Sequence, residues 1–256
     1  MGFLFISKGQ KNKRRDECKM DKQQILENSL SALFPKEEYD VFNEKTQEKA
    51  QKLKESIKYF KKEEITNPYI SRRHRYIADL EILPQEKYTN IPFRMEEYDT
   101  KSTIASSGCA ILVAKCLEKL FKCEECFSIE ELSETAVKKG YRGYKKNEDG
   151  GWIPVGCRHV FFDRFIPSVY KLKVKRADSI KKVLKSLEED KIPVLLVSNK
   201  IYKKDETSTD SHFLIVMGYN KTGFFVWDSE EAGVIFVEFG RVIDGLKVAW
   251  IIEKAK

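Results

Sequence analysis

The sequence predicts an α+β protein in which N-terminal helices pack on a C-terminal antiparallel sheet. Before residue 190, apolar residues recur mainly at the three- and four-residue spacing of a helix face; after it they form short runs separated by turns. Helices that precede strands, instead of alternating with them, favour an antiparallel sheet. A chain of 256 residues with 41% hydrophobic residues can fill a substantial core.

The chain divides into three parts. Residues 1–20 are polar and basic, and we expect them to form a flexible terminus. Residues 21–87 are expected to form a helical extension, and residues 88–256 the main domain. The boundary at residue 87 is placed within residues 65–100, where three prolines interrupt the helical pattern; the pattern of apolar residues changes after residue 100.

The extension contains three predicted helices, over residues 21–34, about 38–64 and about 76–82. An apolar stripe of this length would be sticky if exposed, so we expect it to face a protein surface. Residues 21–64 are therefore a candidate contact for a protein partner, either as an inhibitory prosegment or as a stabilising appendage. The stripe consists of Ile25, Leu30, Leu33, Ile57 and Phe60.

The main domain is expected to begin with helices and end with strands. Ser106 or Ser107 can cap its first helix. Residues 143–156 are rich in glycine and charge, and we expect a long polar loop there. The predicted helices span 109–121, 129–139 and 179–190. The predicted strands span 193–198, 212–219, 223–228, 234–239 and 248–253.

Charge and hydropathy exclude some classes of partner. The net charge of +7 comes from 47 Lys and Arg against 40 Asp and Glu, and its basic runs lack the interleaved aromatic residues of a nucleic-acid-binding motif. The sequence has no run of about 18 apolar residues that would span a membrane, and residues 1–6 are too short for a signal-peptide core. We therefore expect a cytoplasmic protein with reduced cysteines.

A cysteine, a histidine and an aspartate stand where a thiol-dependent enzyme needs its reactive groups. Cys109 follows the polar turn 102–108 and opens an apolar helix, at the positive end of the helix dipole. His212 opens one predicted strand, and Asp228 ends the next. Together they can supply a nucleophile, a base and a group that orients the base. Each alone has a plain alternative: a core thiol, a structural histidine and a turn residue.

The hairpin that carries His212 and Asp228 imposes a geometric condition. If its strands paired through a plain two-residue turn, Asp228 would oppose Ile215, on the face away from His212. A triad therefore requires an irregularity. We expect it at residues 221–223, where Gly223 can take the left-handed conformation of a bulge.

The order of these motifs resembles the bacteriocin-processing (double-glycine leader) peptidases, a bacterial family among the papain-like cysteine peptidases. That family has a segment similar to residues 102–109, a later His-Phe strand similar to residues 212–219, and an apolar strand ending in Asp, similar to residues 224–228. The resemblance covers about residues 91–256. It implies a papain-like cysteine peptidase fold for the main domain.

The resemblance also implies the roles of the site residues. Cys109 would be the nucleophile, His212 the general base and acid, and Asp228 the group that holds the imidazole. The implied function is a cysteine peptidase or amide hydrolase, cleaving a peptide or isopeptide bond of a peptide or protein substrate through a thioester, without a cofactor. The alternatives are a weak or inactive module that binds a peptide or partner protein, and an acyltransferase of the same superfamily.

The second oxyanion donor of this family, a glutamine, has no direct counterpart here. The position six residues before Cys109 holds Thr103, and the other alignment puts Glu96 in that place. The Cys109 N–H is a natural first donor because it lies at a helix start. Thr103, Ser106, Ser107 and Glu96 are the candidates for the second donor.

Two further groups of residues have an interpretation beside the triad. Gly151 and Trp152 are candidates to line the substrate cleft, or Trp152 can pin the predicted loop to the core. A CxxC pair with a later Cys-x-His could hold zinc, but the spacing is unusual for a structural site, and we expect no metal. The four residues of that alternative are Cys123, Cys126, Cys157 and His159.

Overall fold

The computed structural model describes residues 36–60, 68–73, 80–124, 126–208 and 210–255, with side chains from residue 44 onward. The chain separates into two compact units, residues 1–44 and 45–256. The predicted helix at 21–34 lies outside the described residues. The predicted boundary near residue 87 stays a prediction.

The described part of the second unit combines α-helices with an antiparallel sheet. Six strands lie in the spatial order β4-β9-β5-β6-β7-β8, and the short strand β1 pairs with β6 beside them. Strands β2 and β3 form a separate two-stranded hairpin. The strands are β1 Tyr69–Ile70, β2 Arg142–Lys146, β3 Trp152–Cys157, β4 Leu172–Arg176, β5 Ile192–Ser198, β6 Ser211–Tyr219, β7 Gly223–Asp228, β8 Gly233–Glu238 and β9 Leu246–Lys254.

The helices cover both faces of this sheet. A 3-10 turn at Gln85–Lys87 and a π-helical turn at Phe161–Phe165 add to them. None of the described helices is long and apolar enough to cross a membrane. The α-helices are α1 Lys36–Lys58, α2 Ile104–Ser107, α3 Cys109–Phe121, α4 Ile129–Lys138, α5 Ile166–Tyr170, α6 Ile180–Glu188, α7 Asn199–Tyr202 and α8 Phe239–Ile243.

Two hydrophobic cores lie on opposite faces of the sheet, because side chains alternate along β6. Phe213 and Ile215 join the core that contains α3, and Leu214 and Val216 join the core that contains α6 and α8. The second core also takes Leu53 of α1, which is 1% exposed. Ile57 and Phe60 pack against it, as the apolar stripe predicts.

Helix α3 begins at Cys109 and ends at Phe121, the bounds that the sequence predicts. The residues after Cys109 are apolar on nearly every side, and a helix of that kind must be buried. Lys122 ends it in the left-handed conformation, with φ 50°. The cap differs from the prediction: Gly108 precedes the helix, while Ser106 and Ser107 lie in the separate turn α2.

The predicted polar loop at 143–156 is wrong, because this segment forms most of the β2–β3 hairpin. The residue pattern of this segment does not indicate strands, because β2 is mostly basic and β3 contains Pro154 and Gly156. Strand β4 was also missed, because its five residues alternate apolar with basic groups and gain their ladder only from β9. Residues 80–82, at the end of the predicted helix 76–82, are not helical.

Candidate active site

His212 and Asp228 form a buried hydrogen-bonded pair. The Nε2 atom of His212 lies 2.7 Å from Oδ1 of Asp228, and the two residues are 2% and 3% exposed. A buried charge needs a partner, and each of these groups supplies one to the other. With Nε2 occupied by the carboxylate, Nδ1 is the ring nitrogen that is left for a proton transfer.

The pairing register puts both side chains on one face of the sheet. Asp228 lies opposite Leu214, which shares its face with His212 two residues earlier. A register shift between Val216 and Gly218 makes this possible, because it leaves Met217 as the additional residue of a bulge.

The sequence correctly required an irregularity, but its position at residues 221–223 is wrong. The turn after Asn220 is a plain two-residue turn: Asn220 donates to the Gly223 carbonyl at 2.9 Å, and its side chain accepts from Gly223 N at 2.9 Å. Gly223 has no positive φ. Its lack of a side chain serves packing instead, since a Cβ there would lie 2.2 Å from the Val237 carbonyl oxygen.

Burial and hydrogen bonding act in opposite directions on the pKa values of the pair. Burial alone would lower the pKa of His212, but hydrogen bonds with Asp228 and Cys109 outweigh it and raise that pKa. Burial would raise the pKa of Asp228, and the hydrogen bond from His212 outweighs it in turn. The arrangement therefore favours an imidazolium beside a carboxylate.

Cys109 is the first residue of α3 and is 8% exposed. The Cys109 thiol is one of the groups that raise the pKa of His212, so it lies close to the imidazole, and the imidazole in turn is hydrogen-bonded to Asp228. Gly108 allows the chain just before this helix to pack closely against Ile104, because a Cβ at position 108 would lie 2.6–2.7 Å from Ile104 atoms. The N–H of a first helical residue has no acceptor within the helix and can donate a hydrogen bond to a ligand.

Two neighbours that the sequence analysis missed complete the surroundings of Asp228. The hydroxyl of Tyr202 donates to Asp228 Oδ2 at 2.8 Å, and the backbone N–H of Glu230 donates to Oδ1 at 2.9 Å. The side chain of Glu230 pairs with Lys203 and lies 4.0 Å from Nδ1 of His212. Tyr202 belongs to α7, whose four residues give no periodic signal in the sequence.

A buried glutamine bridges the cysteine and aspartate segments. Gln85 is 6% exposed. Its Nε2 donates to the Ala105 carbonyl at 3.3 Å, and its Oε1 accepts from the Ser229 hydroxyl at 2.8 Å. Gln85 lies 24 positions before Cys109, outside the spacing at which the sequence analysis sought a glutamine.

Three of the four candidates for a second oxyanion donor, Ser106, Ser107 and Glu96, are engaged elsewhere. The Ser106 hydroxyl accepts from the Thr103 N–H at 3.0 Å and lies 3.0 Å from the Thr103 carbonyl, to which it donates. Ser107 Oγ lies 3.5 Å from the same carbonyl. Glu96 is exposed and pairs with Arg94 at 2.9 Å. The second donor stays unassigned.

Trp152 begins β3 and is 41% exposed. Its ring lies 4.7 Å from that of Tyr98, and the Lys146 ammonium lies 5.3 Å from its centre. Gly151 precedes it in the hairpin turn, where its carbonyl accepts from Asn147 N at 2.8 Å. Their role in a substrate cleft stays a prediction.

The alternative zinc ligands do not assemble. Cys123 and Cys126 follow α3, Cys157 ends β3, and the His159 ring packs edge-on at 5.8 Å from Trp250. In the part of the chain that the structure describes, no three Cys, His, Asp or Glu side chains are grouped to hold a metal ion. Burial raises the pKa of the Cys123 thiol to about 11, which disfavours the thiolate that binds zinc.

Comparison with known proteins gives little beyond this geometry. No protein-family model matches the chain, and no curated protein is significantly similar in sequence. One solved structure that does match is the crystal structure of a "putative C39-like peptidase" from Bacillus anthracis. The match has 13% identity and a TM-score of 0.46, and it covers 66% of this chain and 96% of that chain. A similarity this distant carries no argument about activity.

Proposed function

We propose that the protein is a cysteine-dependent peptidase or amide hydrolase with a papain-like fold, and that Cys109, His212 and Asp228 are its catalytic residues. One observation carries the proposal: the buried His212–Asp228 pair, joined at 2.7 Å, has the Cys109 thiol at a helix start close enough to the same imidazole to raise its pKa. A nucleophile, a base and an orienting group in contact are what covalent acyl transfer requires.

The chemistry follows from these positions. The Cys109 proton moves to Nδ1 of His212, and the thiolate attacks the carbonyl carbon of the substrate. The oxyanion that forms receives a hydrogen bond from the Cys109 N–H. When the tetrahedral intermediate collapses, the C–N bond breaks, His212 gives its proton to the leaving amine, and a thioester remains. Water then attacks the thioester while His212 removes its proton, and the acid product leaves the regenerated thiol.

Asp228 keeps the imidazole in the orientation and tautomer that this sequence needs. Its carboxylate accepts from Nε2, so Nδ1 stays directed away from it. The lowered pKa of Asp228 supports this role, because the carboxylate stays ionised at neutral pH.

Alkylation of thiols tests the activation of Cys109 without knowledge of the substrate. Iodoacetamide is added at pH 7, and mass spectrometry measures the rate at each cysteine. We expect Cys109, although nearly buried, to react faster than the exposed Cys126 of the same chain. His212→Ala should slow Cys109 alone. An equal or slower rate at Cys109 in the wild type would refute the proposal.

Turnover of a fluorogenic peptide library tests the hydrolysis itself. We expect Cys109→Ala and His212→Ala each to abolish turnover with the fold intact, and the double variant to be no worse, because the two groups act as a unit. Cys126→Ser is the matched control and should retain full activity. Wild-type turnover by Cys109→Ala would exclude the assigned nucleophile.

A further inference from the structure

Tyr202 contacts Asp228 through the carboxylate oxygen that His212 does not use. It ends α7, directly after β5, and is 2% exposed. Its hydroxyl donates to Oδ2 of Asp228 at 2.8 Å, while Oδ1 accepts from His212 Nε2 and from Glu230 N. Both carboxylate oxygens are therefore engaged, and the carboxylate cannot rotate without breaking a hydrogen bond in a buried site.

The ring of Tyr202 also restrains the imidazole. The two rings are nearly parallel, with an interplanar angle of 19° and centroids 6.1 Å apart. Arg241 holds the tyrosine from α8: its Nε donates to the Tyr202 carbonyl at 2.7 Å, and its guanidinium carbon lies 5.6 Å from the ring centre. The tyrosine is thus fixed at its backbone and at its ring before it meets the triad.

We propose that Tyr202 is a positioning residue for the reaction, which holds Asp228 so that Oδ1 faces the imidazole. The inference rests on the proposed function and adds a residue that acts through Asp228 without touching the substrate. Without the hydroxyl, Oδ2 would be buried with no donor, and the carboxylate would turn or take up a proton. Either change weakens the support of the imidazolium that faces Cys109.

The charged and titratable groups around Asp228 and His212 determine the direction in which the pH profile of Cys109 alkylation is expected to move. Asp228 is faced by His212 from β6, by Tyr202 from α7 and by the Glu230 N–H, and Cys109 faces His212 from α3. Lys203 pairs with Glu230 at the rim, and Arg241 lies behind Tyr202. Of these groups, the Tyr202 hydroxyl is a neutral donor, and a substitution that deletes a single oxygen atom removes it.

Tyr202→Phe tests the inference through the rate of Cys109 alkylation by iodoacetamide between pH 4 and 9. We expect a rate at least 10-fold lower at neutral pH, and an acid limb that moves to higher pH because the Asp228 anion has lost a donor. Tyr219→Phe is the matched control. It removes another tyrosine hydroxyl that donates to a carboxylate, Glu188 Oε1 at 2.7 Å, from the same strand as His212.

If Tyr202 had only a structural role, Tyr202→Phe and Tyr219→Phe would both lower the urea midpoint, and the pH profile of Cys109 alkylation would stay unchanged. That result would overturn the inference. If Tyr202→Phe fails to fold, difluorotyrosine at position 202 decides, because it fills nearly the same space and donates a stronger hydrogen bond. It should move the acid limb to lower pH. An unmoved limb would likewise overturn the inference.

The same data separate this inference from the proposed function. A wild-type Cys109 that reacts no faster than Cys126 removes the triad, and the role of Tyr202 with it. If wild-type Cys109 is activated but the pH profile of its alkylation is the same in the Tyr202 variants, only the positioning role is refuted.

Discussion

At the scale of single residues, the proposed chemistry depends on a charge pair that the protein keeps out of water. His212 and Asp228 are both nearly inaccessible, yet their hydrogen bond at 2.7 Å and the donors around Asp228 offset the cost of burial. The consequence is an imidazole that holds its proton more tightly than a free histidine does. This property gives a prediction about pH.

In Asp228→Asn, activity should be lost at a lower alkaline pH than in the wild type, so that the pH range of activity becomes narrower. The reaction needs the protonated imidazole to protonate the leaving amine, so activity is lost as pH rises through the pKa of His212. The carboxylate raises that pKa. A neutral amide can still orient the ring but raises the pKa less, so the basic limb should move to lower pH.

Hydrolysis measured from pH 5 to 11 checks this expectation. The variant should keep measurable activity where Cys109→Ala has none. A basic limb at the wild-type position would show that Asp228 does not act on His212 electrostatically.

At the scale of elements, one bulge decides which face of the sheet carries the acid. Without the register shift between Val216 and Gly218, Asp228 would lie on the face away from His212. Close backbone contacts flank the bulge. A Cβ at Gly218 would lie 2.5 Å from the Tyr69 carbonyl oxygen, so this glycine lets β1 pair with β6.

Gly223→Ala should destabilise the hairpin that carries His212 and Asp228. The new Cβ would lie 2.2 Å from the Val237 carbonyl oxygen, a backbone atom that cannot move without disturbing β8. Overpacking of this kind costs about 1–3 kcal/mol, which urea unfolding would measure. Gly233→Ala is the control at the other end of the β7–β8 pairing, because its Cβ would meet nothing nearer than 3.6 Å. Equal stability of the two variants would contradict the expectation.

At the scale of the second unit, in the part of it that the structure describes, the sheet separates two cores, and the candidate site takes residues from both sides. Cys109 comes from the helix layer of one core, while His212 and Asp228 share the face of Leu214, which belongs to the other. Helix α1 contributes Leu53 to that second core, and the Ile180 N–H donates to Ser56 Oγ at 3.1 Å. The part of the extension from Lys45 to Phe60 therefore packs on the sheet unit.

Leu53→Ala should cost about 2–5 kcal/mol of unfolding free energy, the usual range for a fully buried leucine. Tyr59→Ala, at a side chain that is 77% exposed, should change it by less than about 0.5 kcal/mol. Urea unfolding measures both. A small effect at Leu53 would favour a segment that leaves the domain, as a prosegment does, over an integral part of it.

The elements whose pattern is strong and local could be predicted from the amino-acid sequence. Helix α3 and strand β7 have the predicted bounds because continuous apolar runs leave few alternatives, and the places of Cys109, His212 and Asp228 at element ends make them the candidate site residues. Features that depend on distant partners could be identified only once the chain was folded. The β2–β3 hairpin needs its cross-strand ladder, the bulge at Met217 is set by the pairing of β6 with β7, and Tyr202 and Gln85 reach the site across 26 and 144 positions of the chain. The physical reason is that a periodic pattern records which face of an element is buried, but contains no information about which distant polar group will meet it there.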